Sequence, residues 1–457
     1  MKLPAYPRYK PSGVEWLGDV PEHWEVKRLK TSARCWVSNV DKVPAEDELP
    51  VRLCNYTDVY YHEEITADME LMETTATAEE IERFALLEGD VVITKDSEDW
   101  RDIAVPALVK KSAPDLVCGY HLGIIRSRPK VLFGDYLLRA FQSCAVNQQF
   151  QVAASGVTRY GLPKASIGGA WIPIPATDEQ RAIAAFLDRE TGRVGRLVAK
   201  KQELIERLKE KRTAVISRTV TRGLQPIAAG AAGLLENPPL KPSGLDWLGD
   251  IPAHWEVRKF SREVAIAEGQ VDPEVEPYAS MLLIGPEHVE SATGRLLRRA
   301  TAADQAAESG KYFSRKGDVI YSKIRPALRK LVIAPEDCLC SADMYPLRAR
   351  KRLDNRFILW LFLSKQFLGW SVLESDRVAM PKINRDTLNE LRMPVPPLPE
   401  QAVIAEFLKG ETATLDAMIE KVNEAVERLQ EYRTALITAA VTGKVDVRTR
   451  VTHVREE

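Results

Sequence analysis

An 18-residue segment occurs twice in this chain, almost unchanged. KPSGVEWLGDVPEHWEVK begins at Lys10, and KPSGLDWLGDIPAHWEVR begins at Lys241, with the same spacing throughout. We refer to residues 10–27 and 241–258 as the two heads. A duplication close to half the chain length makes the protein two related units with two related surfaces. The sequence therefore predicts a bipartite function.

A second pair of matched segments follows each head after a divergent stretch. Gly13 and Gly244 are offset by 231 (244 − 13), whereas EQRAIAAFLDRET from Glu179 and EQAVIAEFLKGET from Glu400 are offset by 221 (400 − 179). The order is head, body, helix, and then the same again, where a body is the divergent stretch. Because the offset changes by ten residues, length has been gained and lost in the bodies. We expect a common scaffold that carries two different bodies.

Apolar residues in both matched segments recur at alternating steps of four and three, which is the heptad pattern of a coiled coil. We expect long helices at 178–222 and 399–443, each after a proline-rich segment and each ending near a glycine. Antiparallel pairing of the two helices within the chain is favoured, while packing onto their own domains and dimerisation remain alternatives. The predicted helix–helix seam consists of Ile183, Leu187, Val194, Leu197, Leu204, Leu208, Val215, Ile404, Leu408, Leu415, Met418, Val422, Leu429 and Leu436.

The composition of 457 residues, with 28% charged, 45% hydrophobic and a net charge of −1, suits two or three soluble domains. No apolar run approaches the roughly 20 residues that span a bilayer, and the start MKLPAYPRYK has no apolar core of a secretion signal. We expect a cytoplasmic protein without a membrane partner. The six cysteines form no CxxC pair, and Cys338 and Cys340 have no histidine cluster, so reduced, mostly buried thiols and no metal are expected.

Several of these motifs resemble a known family. They are the repeated WLGD.P.HWEV of the heads, the segments GDVVITKDSEDW and GDVIYSKIRPALRK of the bodies, and IPIP...EQRAIAAFLD and MPVPPLPEQAVIAEFL at the helix starts. In this order, and twice, they resemble the specificity subunit of Type I restriction-modification systems along essentially the whole chain. The resemblance implies an α/β (α+β) fold with two pseudo-symmetric target recognition domains separated by two long antiparallel coiled-coil helices.

The resemblance also implies a function in bacterial defence. Each target recognition domain would read one half of a split sequence in double-stranded DNA, and the chain itself would be non-catalytic. Two modification (methyltransferase) subunits with S-adenosylmethionine, and restriction subunits that use ATP and Mg, would be its partners. The implied division is target recognition domain 1 at 1–177, spacer helix 1 at 178–222, a linker at 223–240, target recognition domain 2 at 241–398, spacer helix 2 at 399–443 and a tail at 444–457.

Motifs for catalysis by this chain are missing from its sequence. No two of the 25 glycines are spaced as G-x-G, and no G-x-x-x-x-G-K-[ST] phosphate loop occurs. In NPPL, from Asn237 to Leu240, leucine replaces the aromatic residue that an adenine methyltransferase needs. No bound cofactor is therefore expected in this chain. A self-sufficient nuclease or methyltransferase is one alternative function, and a structural coiled-coil adaptor without DNA recognition is another.

The heads are predicted to be structural, because a segment that is identical in both copies cannot read two different sequences. Their tryptophans could stack on bases, but anchoring of the head against the body or the helix ends is the expectation for Trp16, Trp24, Trp247 and Trp255. His23 and His254 are expected to be packed or hydrogen-bonded rather than metal ligands. Sequence reading must then depend on the divergent bodies.

Cations in the bodies are the candidates for DNA binding, because phosphates attract positive charge and arginine can bind guanine O6 and N7 bidentately. Asp96 or Glu98 could instead accept from cytosine N4. For any single residue, a solvated surface charge is the alternative. The candidates are Lys95, Thr158, Arg159, Tyr160 and Lys164 in the first body, and Lys323, Arg325, Arg329, Lys330, Arg377, Lys382 and Arg385 in the second.

Overall fold

The structure is a computed structural model that describes residues 4–375 and 381–448. It divides into two compact units. Unit 1 contains the described residues of 1–201 and 424–457, and unit 2 contains those of 202–423. No helix in the described ranges is long and apolar enough to cross a membrane.

The strands of unit 1 are β1 (Tyr9–Pro11), β2 (Asp19–Pro21), β3 (Glu25–Arg28), β4 (Ala33–Val37), β5 (Leu49–Cys54), β6 (Glu64–Thr66), β7 (Met72–Ala76), β8 (Val91–Thr94), β9 (Asp96–Ser97), β10 (Pro106–Lys111), β11 (Leu116–Cys118), β12 (Leu122–Ser127), β13 (Tyr160–Gly161) and β14 (Trp171–Ile174). Its helices are α1 (Leu29–Ser32), α2 (Tyr56–Tyr61), α3 (Ala78–Phe84), α4 (Gly134–Gln142), α5 (Cys144–Ala153), α6 (Lys164–Gly169) and the first part of α7 (Thr177–Arg222). A short 3-10 helix spans Trp100–Asp102.

The strands of unit 2 are β15 (Leu240–Pro242), β16 (Asp250–Pro252), β17 (Glu256–Lys259), β18 (Val264–Ile266), β19 (Gln270–Val271), β20 (Leu283–Ile284), β21 (Lys311–Ser314), β22 (Val319–Ser322), β23 (Leu331–Ile333), β24 (Cys338–Cys340), β25 (Met344–Ala349) and β26 (Arg392–Val395). Its helices are α8 (Pro226–Ala231), α9 (Phe260–Glu263), α10 (Asn355–Leu363), α11 (Lys365–Ser375), α12 (Arg385–Glu390) and the first part of α13 (Leu398–Val441). The last part of α13 belongs to unit 1. Short 3-10 helices span Pro286–His288 and Pro326–Leu328.

The body of unit 1 is layered around a five-stranded sheet in the order β4-β12-β8-β10-β6. Because successive side chains of a strand point to opposite faces, its central strand contributes to two cores. Val91 and Ile93 of β8 enter an apolar cluster with α4 and α5, and Val92 enters another with the second sheet, β11-β5-β7. Burial on both faces explains why this strand is an uninterrupted apolar run.

The body of unit 2 repeats this layering. The sheet β18-β25-β22-β23 takes the place of the five-stranded sheet, and β19-β21-β24-β20 lies against its other face. Val319 and Tyr321 of β22 join an apolar cluster with α10, whereas Ile320 joins one with β24. Both bodies therefore combine sheets with helices on one face, and the mixed α/β fold predicted from the sequence is confirmed.

Each core is completed by one end of each long helix. In unit 1, the first turns of α7 contribute Ile183 and Leu187 to the apolar cluster, and the last turns of α13 contribute Leu436 and Val441. In unit 2, the last turns of α7 and the first turns of α13 take these roles, through Ile216, Val220, Ile404 and Leu408. Full burial of such a side chain contributes about 1.5–3 kcal/mol. The helix ends are therefore integral parts of both cores.

Repeat-equivalent hydroxyl groups hold each body on a long helix. The backbone N–H of Cys144, at the start of α5, donates to Thr438 Oγ1 of α13 at 3.0 Å. The backbone N–H of Lys365, at the start of α11, donates to Ser217 Oγ of α7 at 2.9 Å. The two donor residues are 221 positions apart (365 − 144), and so are the two acceptor residues (438 − 217). Both hydrogen bonds therefore join equivalent positions of the two repeats. Because the first N–H groups of a helix lack partners within it, each body gains a bond from the helix of the other copy.

Buried glutamines fix the other helix ends. Gln180 of α7 is fully buried, accepts from the N–H of Phe133 at 2.9 Å, and donates to the carbonyls of Val131 and Pro175, both at 2.9 Å. Gln401 of α13 makes the same three bonds, at 2.8, 2.9 and 2.7 Å, to Asp354, Arg352 and Pro396. One side chain thus joins the helix start to the loop that precedes α4 or α10.

Glutamates beside these glutamines hold the heads. His23 Nε2 lies 3.0 Å from Glu179 Oε2, and His254 Nε2 lies 2.8 Å from Glu400 Oε2. The expectation that both histidines are hydrogen-bonded is therefore confirmed. Together with the glutamines, these pairs explain why the dipeptide Glu-Gln occurs at the start of both long helices.

The head tryptophans are mostly anchors, as the duplication predicts. Trp24 and Trp255 are fully buried, and Trp247 packs against Trp370 of α11 with ring centroids 6.4 Å apart. Trp16 differs, because 41% of its surface is exposed. The anchoring expectation is thus confirmed for three of the four tryptophans.

The predicted seam residues of α7 and α13 differ in burial along the helices. Buried are Ile183, Leu187, Val194, Ile404, Leu408, Leu415 and Leu436. Half-buried are Leu208, Val215, Val422 and Leu429, and exposed are Leu197, Leu204 and Met418. In unit 2, Arg212 Nε of α7 donates to Asp416 Oδ1 of α13 at 2.9 Å, so polar contacts also join the helices. A continuous apolar seam stays a prediction, as do the domain boundaries given above.

The hydrogen bonds of Gln180 and Gln401, which we call the glutamine joints, lead to a prediction about stability. Replacing Gln180 or Gln401 with alanine leaves one N–H and two carbonyls without their partner, and the carbonyl of Pro175 or Pro396 loses a buried hydrogen bond. We expect Q180A and Q401A each to lower the free energy of unfolding by about 2–3 kcal/mol, since an unsatisfied buried polar group costs about 1–3 kcal/mol. Urea unfolding followed by circular dichroism measures this. Q202A, at an exposed position of α7, is the matched control, and equal midpoints for Q180A and Q202A would contradict the joint.

The ion pairs of Glu63 lead to a prediction about how the stability of the protein depends on pH. Its carboxylate binds Arg433 of α13 and Arg139 of α4, the latter at 3.0 Å. Burial raises the pKa of Glu63, but the two guanidinium groups outweigh burial and hold the pKa below its usual value. A lowered folded-state pKa stabilises the protein above the unfolded-state pKa, and this stabilisation is lost as pH falls through the folded-state value.

We therefore expect E63Q to be less stable than the unchanged protein at neutral pH. The loss should be no more than about 1 kcal/mol, because Glu63 is 44% exposed and solvent screens its ion pairs. The difference should shrink as the pH falls below the folded-state pKa of Glu63. Urea unfolding at several pH values measures this, with E64Q as the control. A difference that stays constant down to acid pH would exclude the ionic contribution.

Candidate nucleic-acid interface

Three segments of unit 1 meet at the end of the central strand β8. The N–H of Lys95 donates to the carbonyl of His121 at 2.9 Å, and the carbonyl of Lys95 accepts from the N–H of Leu162 at 2.9 Å. Directly after Lys95, β9 pairs with β13 in antiparallel register. We refer to residues 95–97, 120–121 and 158–164 together as loop cluster 1. The predicted candidates Lys95, Thr158, Arg159, Tyr160 and Lys164 all lie in it.

Unit 2 repeats this arrangement at the end of β22. The N–H of Lys323 donates to the carbonyl of Asp343 at 3.0 Å, and its carbonyl accepts from the N–H of Ile383 at 2.8 Å. An isolated bridge joins Ile324 to Lys382, as the β9–β13 pair does in unit 1. We refer to residues 323–325, 343–345 and 381–385 as loop cluster 2. Lys95 and Lys323 therefore occupy equivalent positions in the two units and make equivalent backbone hydrogen bonds.

Asp96 organises the side chains of loop cluster 1. Its Oδ2 lies 2.9 Å from His121 Nδ1 and 3.2 Å from Lys95 Nζ. Arg159 Nη2 lies 3.3 Å from His121 Nε2, and the Tyr120 ring centroid is 3.7 Å from that of His121. The cluster thus combines a carboxylate, an imidazole, two cations and an aromatic ring. Both of these partners contact Oδ2, and a carboxylate can accept on both oxygens. The alternative role of Asp96 as an acceptor for cytosine therefore stays a prediction.

The outer part of loop cluster 1 is accessible. Thr158, Arg159 and Lys164 are exposed, and Tyr160 is half-buried. Lys164 is the first residue of α6, and the same position in the other repeat is Arg385, the first residue of α12 (164 + 221). A cation therefore occupies the first position of this short helix in both units.

Two tyrosine rings organise loop cluster 2. The Arg385 guanidinium lies 5.0 Å from the Tyr345 ring centroid and 5.4 Å from that of Tyr312, within the range of cation–π attraction. Lys323 Nζ lies 5.3 Å from the Tyr345 centroid, and Arg385 Nη2 donates to the carbonyl of Ala267 at 2.7 Å. Burial raises the pKa of Tyr345, and Arg385 opposes this effect. Tyr345 is therefore a neutral platform for two cations.

Two further candidates flank this platform. Arg325 is exposed and has a positive φ of 47°, and its N–H donates to the carbonyl of Pro381 at 3.0 Å. Lys382 is exposed beside it. Arg377 lies outside the described residues.

Arg329 and Lys330 are not brought into loop cluster 2. Arg329 Nη1 donates to the carbonyl of Leu363 at 3.0 Å, and Lys330 Nζ donates to the carbonyl of Pro286 at 2.7 Å. Burial lowers the pKa of Arg329, and the positive charge of Arg212 lowers it further. Both residues line a cavity of about 660 Å³ with Arg212 and Asp416, so they face the long helices of unit 2.

Sequence reasoning missed His121, Tyr120, Asp343, Tyr345 and Tyr312. A signal for the position of His121 was present, because LVCGYHLGIIRSR and CLCSADMYPLRAR match at an offset of 222, from Cys118 and Cys340 to Arg126 and Arg348. That alignment sets His121 opposite Asp343. No comparable signal marks Tyr312, which reaches the cluster through the second sheet.

The part of the chain that the structure describes holds no group of three or more His, Cys, Asp or Glu side chains arranged to bind a metal ion. All six cysteines are free, and four of them are buried. Burial raises the pKa of the Cys35 and Cys338 thiols to about 12.

Comparison with known proteins relates this architecture to one family. Residues 286–428 match the family model of the Type I restriction modification DNA specificity domain. The Type I restriction enzyme EcoDI specificity subunit of Escherichia coli is 30% identical over 294 residues, which cover 63% of this chain and 65% of that protein. The Type I restriction enzyme MjaVIII specificity subunit of Methanocaldococcus jannaschii is 23% identical over 448 residues, which cover 94% of each chain.

Solved structures share the fold. A chain from a structure described as the basis of complex assembly and conformational transition of the type I R-M system aligns with a TM-score of 0.67 and 17% identity, covering 93% of this chain and 99% of that one. The HsdS subunit from Thermoanaerobacter tengcongensis aligns with a TM-score of 0.50 and 16% identity, covering 93% and 98%. The resemblance recognised in the sequence is therefore confirmed. This chain is similar in sequence and in fold to specificity subunits of Type I restriction-modification systems.

Proposed function

We propose that this chain is the DNA sequence-recognition subunit of a Type I restriction-modification complex and has no catalytic activity of its own. Residues 1–177 and 241–398 would be its two target recognition domains, each reading one half of a bipartite site. The modification subunits would bring S-adenosylmethionine, and the restriction subunits would bring ATP and Mg. The chain would hold these partners and the DNA together, with the long helices as the spacer between half-sites.

The single observation that carries this proposal is the pair of loop clusters on one duplicated frame. The backbone bonds of Lys95 recur at Lys323, yet most of the side chains around them differ. A catalytic site present in both copies would keep the same reactive groups, whereas reading two different half-sites requires different groups at the same place. The clearest such difference is His121 in unit 1, because the equivalent residue of unit 2 is Asp343.

The chemistry of both clusters suits base edges and phosphates. Arg159 and Arg385 can donate to guanine O6 and N7, and Lys95 and Lys323 can neutralise phosphate charge. Phosphate contacts position a protein on DNA, while contacts with base edges provide sequence specificity. Lys164, Arg325 and Lys382, together with Thr158, Tyr160 and Arg377, are the remaining proposed contacts in these loops. Arg329 and Lys330 fit this role less well, because carbonyls of the body already hold them.

The proposal is tested by expressing this chain with the modification subunit of its system in a host without DNA methylation. Methylome sequencing should reveal one split motif with a fixed gap. The purified chain alone should neither methylate nor cleave DNA. Methylation or cleavage by the lone chain would show a self-sufficient enzyme, and assembly with the modification subunit without any methylated motif would show a structural adaptor.

The position shared by His121 and Asp343 gives a sharper prediction. Histidine can donate to guanine or accept from an amino group, whereas aspartate accepts only, for example from cytosine N4. We expect H121D to change one half-site and D343H to change the other. Each preference should shift by about 1–3 kcal/mol, or roughly 5- to 150-fold, as for a lost or gained base contact. Methylome sequencing of each variant measures the change.

The matched control is H62D, because His62 is exposed in the same unit and lies outside loop cluster 1. H62D should retain both half-sites. A change of both half-sites by H121D, or of neither half-site by both variants, would contradict the assignment of one half-site to each cluster.

A further inference from the structure

Two guanidinium groups of unit 1 share one carboxylate. Glu63 binds Arg433 of α13 and Arg139 of α4, the latter at 3.0 Å. Arg139 also binds Asp188 of α7 at 2.7 Å. Because a cation away from water is costly unless an anion pairs with it, these two carboxylates compensate both arginines.

Unit 2 keeps the arginine of the long helix but lacks the shared carboxylate. Arg212 of α7 is the equivalent of Arg433 at the offset of 221. The last residues of β5 and β20 pair with the last residues of β11 and β24, so the segments after β5 and β20 are equivalent at an offset of 230 (284 − 54). At this offset the equivalent of Glu63 is Thr293 (293 − 63). A neutral side chain therefore replaces the bridging carboxylate.

Arg212 finds other partners in unit 2. It is buried, and its Nε donates to Asp416 Oδ1 at 2.9 Å. Its Nη1 and Nη2 donate to the carbonyls of Ala292 and Thr293 at 2.8 and 3.1 Å. A guanidinium group has five N–H donors, so two N–H groups of Arg212 remain available within the described residues.

Arg329 lies near Arg212 without such compensation. Its Nη1 donates to the carbonyl of Leu363 at 3.0 Å, but its Nε is buried and has no hydrogen-bond partner among the described residues. Burial and the positive charge of Arg212 both lower the pKa of Arg329, and no carboxylate of the described chain offsets them. Two like charges that stand close together away from water call for an anion.

Both arginines line the cavity of about 660 Å³ in unit 2. Five cations line it, and three of them have a carboxylate within 4 Å, namely Lys209, Arg212 and Arg295. Arg329 and Lys330 have none among the described residues. The cavity therefore presents uncompensated positive charge.

We propose that this cavity binds a small oxyanion of the phosphate class, held by Arg329 and by the available N–H groups of Arg212. The ion would take the place that the Glu63 carboxylate has in unit 1, between two guanidinium groups. Guanidinium groups bind phosphate oxygens through strong, charge-assisted hydrogen bonds. A DNA duplex cannot enter a cavity of this volume, and Arg212 is buried, so a free ion fits where the DNA backbone does not. This site does not depend on the proposed function.

The test uses the full chain, without DNA or partner subunits, and inorganic phosphate as the probe. Isothermal titration calorimetry at constant ionic strength should show saturable binding with a Kd of about 1 mM or lower. A ligand of the folded state also raises the midpoint of thermal unfolding. Phosphate stabilises proteins by exclusion from their surface as well, but that contribution is the same for all variants. Absence of saturable binding to the unchanged chain would overturn the proposal.

Two variants address the cavity directly. R329M removes the uncompensated charge and should weaken phosphate binding about tenfold or more, as for a lost hydrogen bond to a charged group. T293E supplies the carboxylate that unit 1 has, so it should abolish phosphate binding and raise the unfolding midpoint in chloride. Circular dichroism checks that both variants fold, and T293E decides the question if R329M does not.

R325M is the matched control. Arg325 and Arg329 flank the same 3-10 helix with nearly equal φ values of 47° and 46°, but Arg325 does not line the cavity. R325M should bind phosphate like the unchanged chain. If R325M loses binding and R329M keeps it, phosphate substitutes for the DNA backbone at loop cluster 2, and the cavity proposal is wrong. Equal affinities for the unchanged chain, R329M and T293E would identify an adventitious ion only, with the same consequence.

Discussion

The structure depends on the sharing of helix ends between repeats. Each body closes its core with the start of its own long helix and the end of the other one, through Ile183 and Leu436 in unit 1 and through Ile404 and Ile216 in unit 2. Burial of apolar surface is the main favourable term in folding. Each core therefore contains residues from both repeats, so the two repeats depend on each other for burial of apolar surface.

The same dependence explains which residues the repeats keep. The start of each long helix holds a head and a loop. The Glu-Gln pairs that begin at Glu179 and Glu400 do both through hydrogen bonds. A sheet with both faces buried must place its polar ends in loops, since an unpaired backbone group inside the core is costly. The rigid parts thus carry the repeated sequence, and the variable side chains lie at the strand ends around Lys95 and Lys323.

The helices and the anchoring of most head tryptophans could be predicted from local periodicity and from direct repetition. The mixed fold was implied by the family resemblance. The candidate site was predicted only in part. Lys95 and Arg159 were identified from their own segments, but His121 comes from a third segment whose approach depends on the sheet. Arg329 and Lys330 belong to the same cationic run as Lys323, and a run of charges does not show which side chains the turn directs elsewhere.

The near-neutral net charge of the chain is compatible with a recognition role for the variable side chains at the strand ends. Non-specific affinity for DNA depends chiefly on phosphate contacts, and a chain with a net charge of −1 has no overall positive field to attract DNA. Under the proposed function, partner subunits would contribute further affinity, and this chain would mainly contribute specificity. Specificity then depends on a few base contacts that are held rigidly, and the hydrogen bonds that fix Lys95 and Lys323 between two loops provide this rigidity. Local order at the strand ends, rather than total charge, is thus the property that sequence recognition requires of this chain.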